Sequence, residues 1–178
     1  FSIAPEEMRY VLSTFVLEPI RWLDRFGWRP MEAVERQAQF RFWCQVGRRM
    51  NIPDLPDSLE ALEAFNRAYE AEHFHFAASN RRVAEAVREM FVGWLLPARL
   101  RFLGRPFVHA LMDDRLLAAC GFPAVSPAWR RFVEGLIRLR ARVLRLFPPR
   151  RRPMLRTRLP RKTYPDGWEM EHLGPEGT

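Results

Sequence analysis

Lysine is almost missing from this 178-residue chain: Lys162 is the only one, so nearly all of the 29 basic residues are arginine. Such a bias reads as GC-rich coding rather than as a selected phosphate-binding surface. It argues against the nucleic-acid partner that a formal net charge of +8 would otherwise suggest. Cysteine is scarce too. Cys44 and Cys120 both stand in apolar helical contexts, where buried free thiols are expected, although spacing alone leaves a disulfide open. No hydrophobic run approaches the roughly 18 residues of a membrane span; the longest lies around Met90–Leu96. The chain starts at Phe1 without a visible secretory signal, so it is read as a fragment or a processed form. Strand-like alternation and 20–50-residue repeats are absent. Also absent are a Gly-rich phosphate loop, a Cys-x-x-Cys pair, His-Glu-x-x-His and Gly-x-Ser-x-Gly. Those absences remove the metal, nucleotide and serine-hydrolase chemistries that such motifs carry.

What is present is apolar residues, 48% of the chain, enough for a core without staples. Their spacing predicts an all-α fold of about six helices in a domain over residues 1–147, followed by an extended Arg/Pro-rich arm over 148–178. The first helix should run from Pro5, a suitable first-turn residue, to Phe26, with Met8, Val11, Leu12, Phe15 and Leu23 as its apolar stripe. Pro19 should kink it near Phe15. A second helix is expected from Pro30 to Met50. Val34, Ala38, Phe42 and Val46 repeat at i+4 there, and Trp43 is expected on the buried face. Ser58 should cap a third helix, to about Phe76, buried through Leu59, Leu62, Phe65 and Tyr69. Asn80 should cap a fourth, ending at Leu96 before Pro97. A fifth is expected over Gly104–Cys120 and a sixth from Ser126-Pro127 to before Pro148-Pro149. Tyr164-Pro165-Asp166-Gly167 reads as a turn within the arm.

The titratable residues point to no reaction by themselves. Glu70-x-x-His73 has the spacing of di-iron bundles, and Glu169-x-x-His172 repeats it. Glu18 and Glu35 are the only further carboxylates that suggest themselves, and nothing singles them out. Hydrogen-bonded or solvated side chains are the simpler reading, and no metal ligand is assigned. Asp113-Asp114 reads as surface charge near a helix middle.

The charge has a location. Between Arg138 and Lys162 there are eleven basic residues and no acidic one, while the remainder carries 18 basic against 21 acidic. In the sixth helix, Trp129, Phe132, Val133, Leu136, Ile137, Val143, Leu144 and Phe147 form a stripe with the arginines largely off it. Arg138, Arg142 and Arg145, with Arg150, Arg151 and Arg152 of the arm, are therefore the residues expected to meet an anionic membrane surface or an acidic protein partner. The aromatics sit on the apolar stripe rather than among the arginines, so no base-stacking platform is indicated.

One set of motifs carries more. Ala4-Pro5-Glu6-Glu7-Met8, Ser13-Thr14-Phe15, Trp43 with Gly47, and Leu55-Pro56 follow one another in an order and spacing that resembles the heme-dependent rubber oxygenases (latex clearing proteins) and the MpaB-type ER-bound oxygenases of fungal meroterpenoid pathways. The resemblance covers about residues 3–76. Pro165-Asp166-Gly167 and Leu173-Gly174-Pro175 resemble tail features of a bacterial branch of these proteins. It implies a globin-like helical domain of which this chain is the C-terminal part. It also implies heme b in the intact protein and oxidative cleavage of a hydrophobic, isoprenoid-type substrate by dioxygen. The axial histidine and the distal Arg and Thr would lie upstream of residue 1. None of His73, His75, His109 and His172 matches that ligand, so no catalytic residue is carried over, and the chain alone is not expected to bind heme. Thr14, Phe15 and Trp43 are expected to line the heme or substrate cavity. A cytoplasmic or peripherally membrane-associated protein follows. The residues by themselves also allow a non-catalytic helical subunit that docks through its Arg-rich arm.

Overall fold

A computed structural model of the protein describes residues 3–148 together with Gly167 and Glu169. The chain divides into two units, Phe1–Leu146 and Phe147–Thr178. The described residues of the first are helical with no strand: α1 (Pro5–Phe26), α2 (Ala33–Arg49), α3 (Leu59–His73), α4 (Ala78–Leu95), a 3-10 turn (Ala98–Leu100), α5 (Arg101–Leu111), α6 (Asp114–Ala119) and α7 (Pro127–Arg145). In the second, Gly167 has φ +93°, the left-handed side that glycine tolerates. The expected arm over 148–178, with Arg150, Arg151, Arg152 and His172, otherwise lies outside the described residues.

Local chemistry explains the helix starts. At α1 the Glu7 carboxylate accepts from the Ala4 backbone N–H (3.0 Å), and Pro5 occupies the first turn. Ahead of α2, Glu35 accepts from the Glu32 N–H (2.9 Å) and holds Arg29 through two bonds of 2.6 and 2.7 Å. The Arg29 bonds come first among the forces that lower the Glu35 carboxyl to about 2. This geometry starts α2 at Ala33 rather than at the expected Pro30. Ser58 caps α3 by accepting from Ala61 N–H (3.1 Å), and Ser126 caps α7 by accepting from Trp129 N–H (3.2 Å). Asn80 does not cap α4. It lies inside the first turn and donates to the His75 carbonyl (3.3 Å), while Ala77 holds the cap position.

Two prolines fall inside helices. Pro19 does not end α1, because the carbonyl of Phe15 that its ring leaves without a helical donor accepts from Gln39 Nε2 of α2 (3.0 Å). Pro106 lies within α5 rather than at its start, and the expected single fifth helix is two. Asp113 breaks it. Its carboxylate accepts from Leu116 N–H (2.7 Å) and caps α6, so Asp113-Asp114 is a helix boundary and not a helix middle.

The core forms where α1 crosses α2 and α3. Val16, Leu17 and Ile20 pack with Phe40, Cys44 and Leu62. The expected faces of α1 and α2 are therefore rotated: Val11 and Phe15 are about half exposed, and Val34 and Phe42 are 71% and 61% exposed. Phe40, Cys44 and Gly47 face inward instead. Gly47 decides this, because a Cβ there would stand 2.7 Å from Leu12 Cδ2 and 2.9 Å from Leu55 Cδ1; only that face lets α2 close on α1. Trp43 sits beside the core, partly buried. Both cysteines are free and buried. A buried polar chain crosses the same contact: Asn66 Nδ2 donates to Ser13 Oγ (2.9 Å), Ser13 Oγ donates to the Tyr10 carbonyl (2.6 Å), and Arg21 donates to Asn66 Oδ1 (2.9 Å).

These positions give a testable ranking. Phe40→Ala should cost about 3–5 kcal/mol in urea denaturation, and Trp43→Ala less than about 2, because part of its ring already faces water. Equal losses would show that α2 buries both rings.

Candidate functional site

Cavities indent the first unit, and three of them differ in the chemistry of their walls. The first lies between α1 and α2. Phe15 and Trp43, two of the residues expected to line a cavity, stack there with centroids 4.8 Å apart and planes 18° apart. They line a space of about 190 Å³ with Met8, Leu12, Val46 and Ile52. That volume is below the 300–1,000 Å³ usual for small-molecule sites. Thr14, the third expected residue, does not line it; its hydroxyl donates to the Val11 carbonyl (2.7 Å).

The second cavity, about 490 Å³, is polar and opens beside α1, α3 and α6. Several of its charged groups are paired, in part with residues outside its wall. Arg21 pairs with Glu18 (2.8 Å), Arg67 with Glu63 (2.7 Å), and Arg25 with Glu134. Glu70 accepts from the Tyr10 hydroxyl (3.3 Å), and burial raises both groups above their usual range. His73 meanwhile stacks on Tyr69 at 4.1 Å, with Nδ1 3.1 Å from the Tyr69 carbonyl. Glu35 is held by Arg29 and Glu18 by Arg21. The Glu-x-x-His spacing thus builds no centre here, and no group of three or more potential metal ligands occurs among the described residues.

The third cavity, about 500 Å³, is nearly all apolar and was not foreseen from the sequence. Val83, Val87 and Phe91 line it from α4 at i, i+4 and i+8; Met112, Leu116 and Phe122 close it from the other side. A glycine makes the α4–α5 contact possible, since a Cβ at Gly104 would stand 2.8 Å from Val92 Cγ1. One charged side chain reaches the wall. Arg88 lies 5.0 Å over the Phe122 ring, bonds Glu89 (3.0 Å), and donates from Nη1 to His109 Nε2 (3.1 Å). His109, only 7% exposed, stacks on Phe122 at 4.5 Å. Because an arginine can only donate, Nε2 is the acceptor and the ring is neutral with its proton on Nδ1. Burial, and then Arg88, lower the His109 pKa below its usual 6.5. Burial likewise raises the Cys120 thiol in this wall.

Residues 2–146 match the family model described as the ER-bound oxygenase mpaB/B'/rubber oxygenase, catalytic domain. The chain belongs to this family. It is 30% identical over 162 residues to the ER-bound oxygenase mpaB' of Penicillium brevicompactum, covering 84% of this chain and 38% of that protein. It is 28% identical over 130 residues to the ER-bound oxygenase mpaB of Penicillium roqueforti (strain FM164), covering 66% and 43%. It is 24% identical over 162 residues to the ER-bound oxygenase mpaB of Penicillium brevicompactum, covering 84% and 35%. The chain therefore spans less than half the length of the curated relatives it matches. Those relatives are fungal, so they lend nothing to the bacterial branch suggested by the tail. No solved structure matches. Among the described residues, no helix is long and apolar enough to cross a membrane.

Of the three cavities, the α4–α6 groove combines size with a nearly all-apolar wall. Sequence reasoning missed it because each lining residue, taken alone, reads as ordinary core. The one available signal was the i, i+4, i+8 repeat of Val83, Val87 and Phe91.

The neutral state of His109 sets a pH dependence. Its folded pKa is depressed, so the unfolded chain binds the extra proton and stability falls as the pH drops below about 6.5. Urea midpoints should decline from pH 7.5 to 5.5, and His109→Gln, which keeps an acceptor for Arg88 but does not titrate, should flatten that decline. Glu70, with its raised pKa, acts in the opposite sense at lower pH. An unchanged slope in the variant would show that His109 is charged or exposed.

Proposed function

We propose that this chain is part of a heme-dependent oxygenase acting on a hydrophobic, isoprenoid-type substrate, and that the α4–α6 groove forms one wall of its substrate cavity. The observation that carries the proposal is the coincidence of the oxygenase catalytic-domain family with a nearly apolar space of about 500 Å³, within the range of small-molecule sites. Val87, Phe91 and Met112 would hold an apolar chain by excluding water. The Arg88–His109 pair would be the polar mark on an otherwise apolar wall. Phe15 and Trp43 line the smaller α1–α2 space instead, with Thr14 on the same helix as Phe15.

The described residues do not fit the part of the iron's axial ligand. His109 is the buried histidine among them, but its Nε2 holds an arginine N–H and its ring stacks on Phe122. His73 and His75 are exposed. The heme b of the intact oxygenase would take its ligand from sequence outside these residues, and no reaction step is assigned to this chain. Of the partners considered, the hydrophobic small molecule is the one this groove favours.

Hemin titration separates the parts of the proposal. The 178-residue chain should give no stoichiometric Soret band, whereas the full-length natural protein should give one. A full-length protein that stays colourless when supplied with heme would remove the heme-dependent reading. Tight binding by the short chain, abolished by His109→Ala, would overturn the placement of the axial ligand.

A further inference from the structure

The helix α7 is built in three sectors, and one of them carries most of its packing against the domain. Val133 and Ala141 are buried and Ile137 is partly buried. This sector packs against α5 and α1. It is anchored by Trp129 Nε1, which donates to the Pro106 carbonyl (3.0 Å), and by Glu134, which binds Arg25 of α1. The second sector is apolar and open to solvent. Phe132, Leu136, Leu139 and Val143 follow at spacings of four, three and four, and are 54%, 44%, 54% and 45% exposed. At 100° per residue they occupy one arc, well away from the buried one. The third sector is basic. Arg131 and Arg142 flank one side of the exposed apolar arc and Arg140 flanks the other; Arg138 is turned away from it, bonded to Glu134 and to the Arg25 carbonyl. Arg142 and Arg145 make no ion pair among the described residues. Glu134 is the only acid on the helix, and it lies toward the buried side with both carboxylate oxygens engaged.

We infer that this face of α7 docks on a bilayer surface that carries anionic lipid. Two demands must be met together by whatever covers it: an apolar layer for four adjacent side chains, and negative charge at both edges of that layer. A lipid interface supplies both at the right depths, with the acyl boundary beneath Phe132, Leu136, Leu139 and Val143 and phosphates level with the arginines. A second copy of the chain would supply the apolar layer but set arginine against arginine. The helix is held to the domain by its buried sector, so its exposed arcs need no rearrangement to lie flat on a surface. This inference does not depend on heme or on the α4–α6 groove.

The test is vesicle co-sedimentation of the 178-residue chain, with vesicles of pure phosphatidylcholine and of phosphatidylcholine containing about one-third phosphatidylserine. Partitioning should be at least about tenfold stronger on the anionic vesicles and should weaken as salt is raised. Leu139→Ser with Val143→Ser should lower it about tenfold or more by removing apolar insertion. Arg140→Gln with Arg142→Gln should lower it about tenfold by removing charge. All four side chains are exposed, so the variants should keep the helical circular dichroism of the parent. Four results would overturn the inference. They are no binding to anionic vesicles, equal binding to neutral ones, full binding by the Leu139/Val143 variant, and self-association in solution that the same variant dissolves. The third would reveal purely electrostatic adhesion, and the last would show that a second copy covers the face.

Discussion

Everything in the helical unit hangs on how closely α2 and α3 can approach α1. Val16, Leu17 and Ile20 are buried only because Gly47 lets α2 come within contact of Leu12, and because Leu62 fills the remaining side from α3. Dispersion falls off steeply with distance, so a small separation at that crossing would forfeit much of the packing. The Ser13–Asn66–Arg21 chain runs through the same contact. It would be costly to leave half-made, and it therefore fixes the register of α3 on α1.

The other helices are attached in a different way. α4 and α5 meet at Gly104 and Val92, and α6 is brought in by the cap at Asp113. α7 then touches both α5 and α1. Its brace is partly polar, through Trp129 to Pro106 and through Glu134 to Arg25. A helix that uses one narrow sector for the fold has the rest of its surface free. The apolar wall between α4 and α6 arises from the same economy, because elements that meet at a few close points leave a groove between them.

The legibility of the chain varied with the range of the interaction concerned. Helix punctuation by Pro5, Ser58, Pro97 and Ser126-Pro127 is a local matter and could be read directly. The family, too, was legible in the order of Thr14-Phe15, Trp43, Gly47 and Leu55-Pro56. The break at Met112-Asp113 had a signal, an aspartate cap followed by Asp114 in the first turn, which the apolar residues on either side concealed. The faces of α1 and α2 could not be read, because each helix carries two apolar stripes. Val34, Ala38, Phe42 and Val46 repeat as regularly as Phe40, Cys44 and Gly47.

By itself, then, the sequence determined an all-helical domain, the positions of most helix ends, membership of an oxygenase family and a concentration of arginine toward the C-terminus. Each of these follows from composition, neighbouring residues or motif order. Only the tertiary structure decided which stripe is buried, that Arg88 holds His109 neutral against Phe122, that Val83 to Phe122 enclose one groove, and that α7 leaves an apolar arc between arginines. Periodicity states that a helix has an apolar face. What covers that face depends on where another helix can approach closely enough to exclude water, and that is set by a single glycine or proline many residues away.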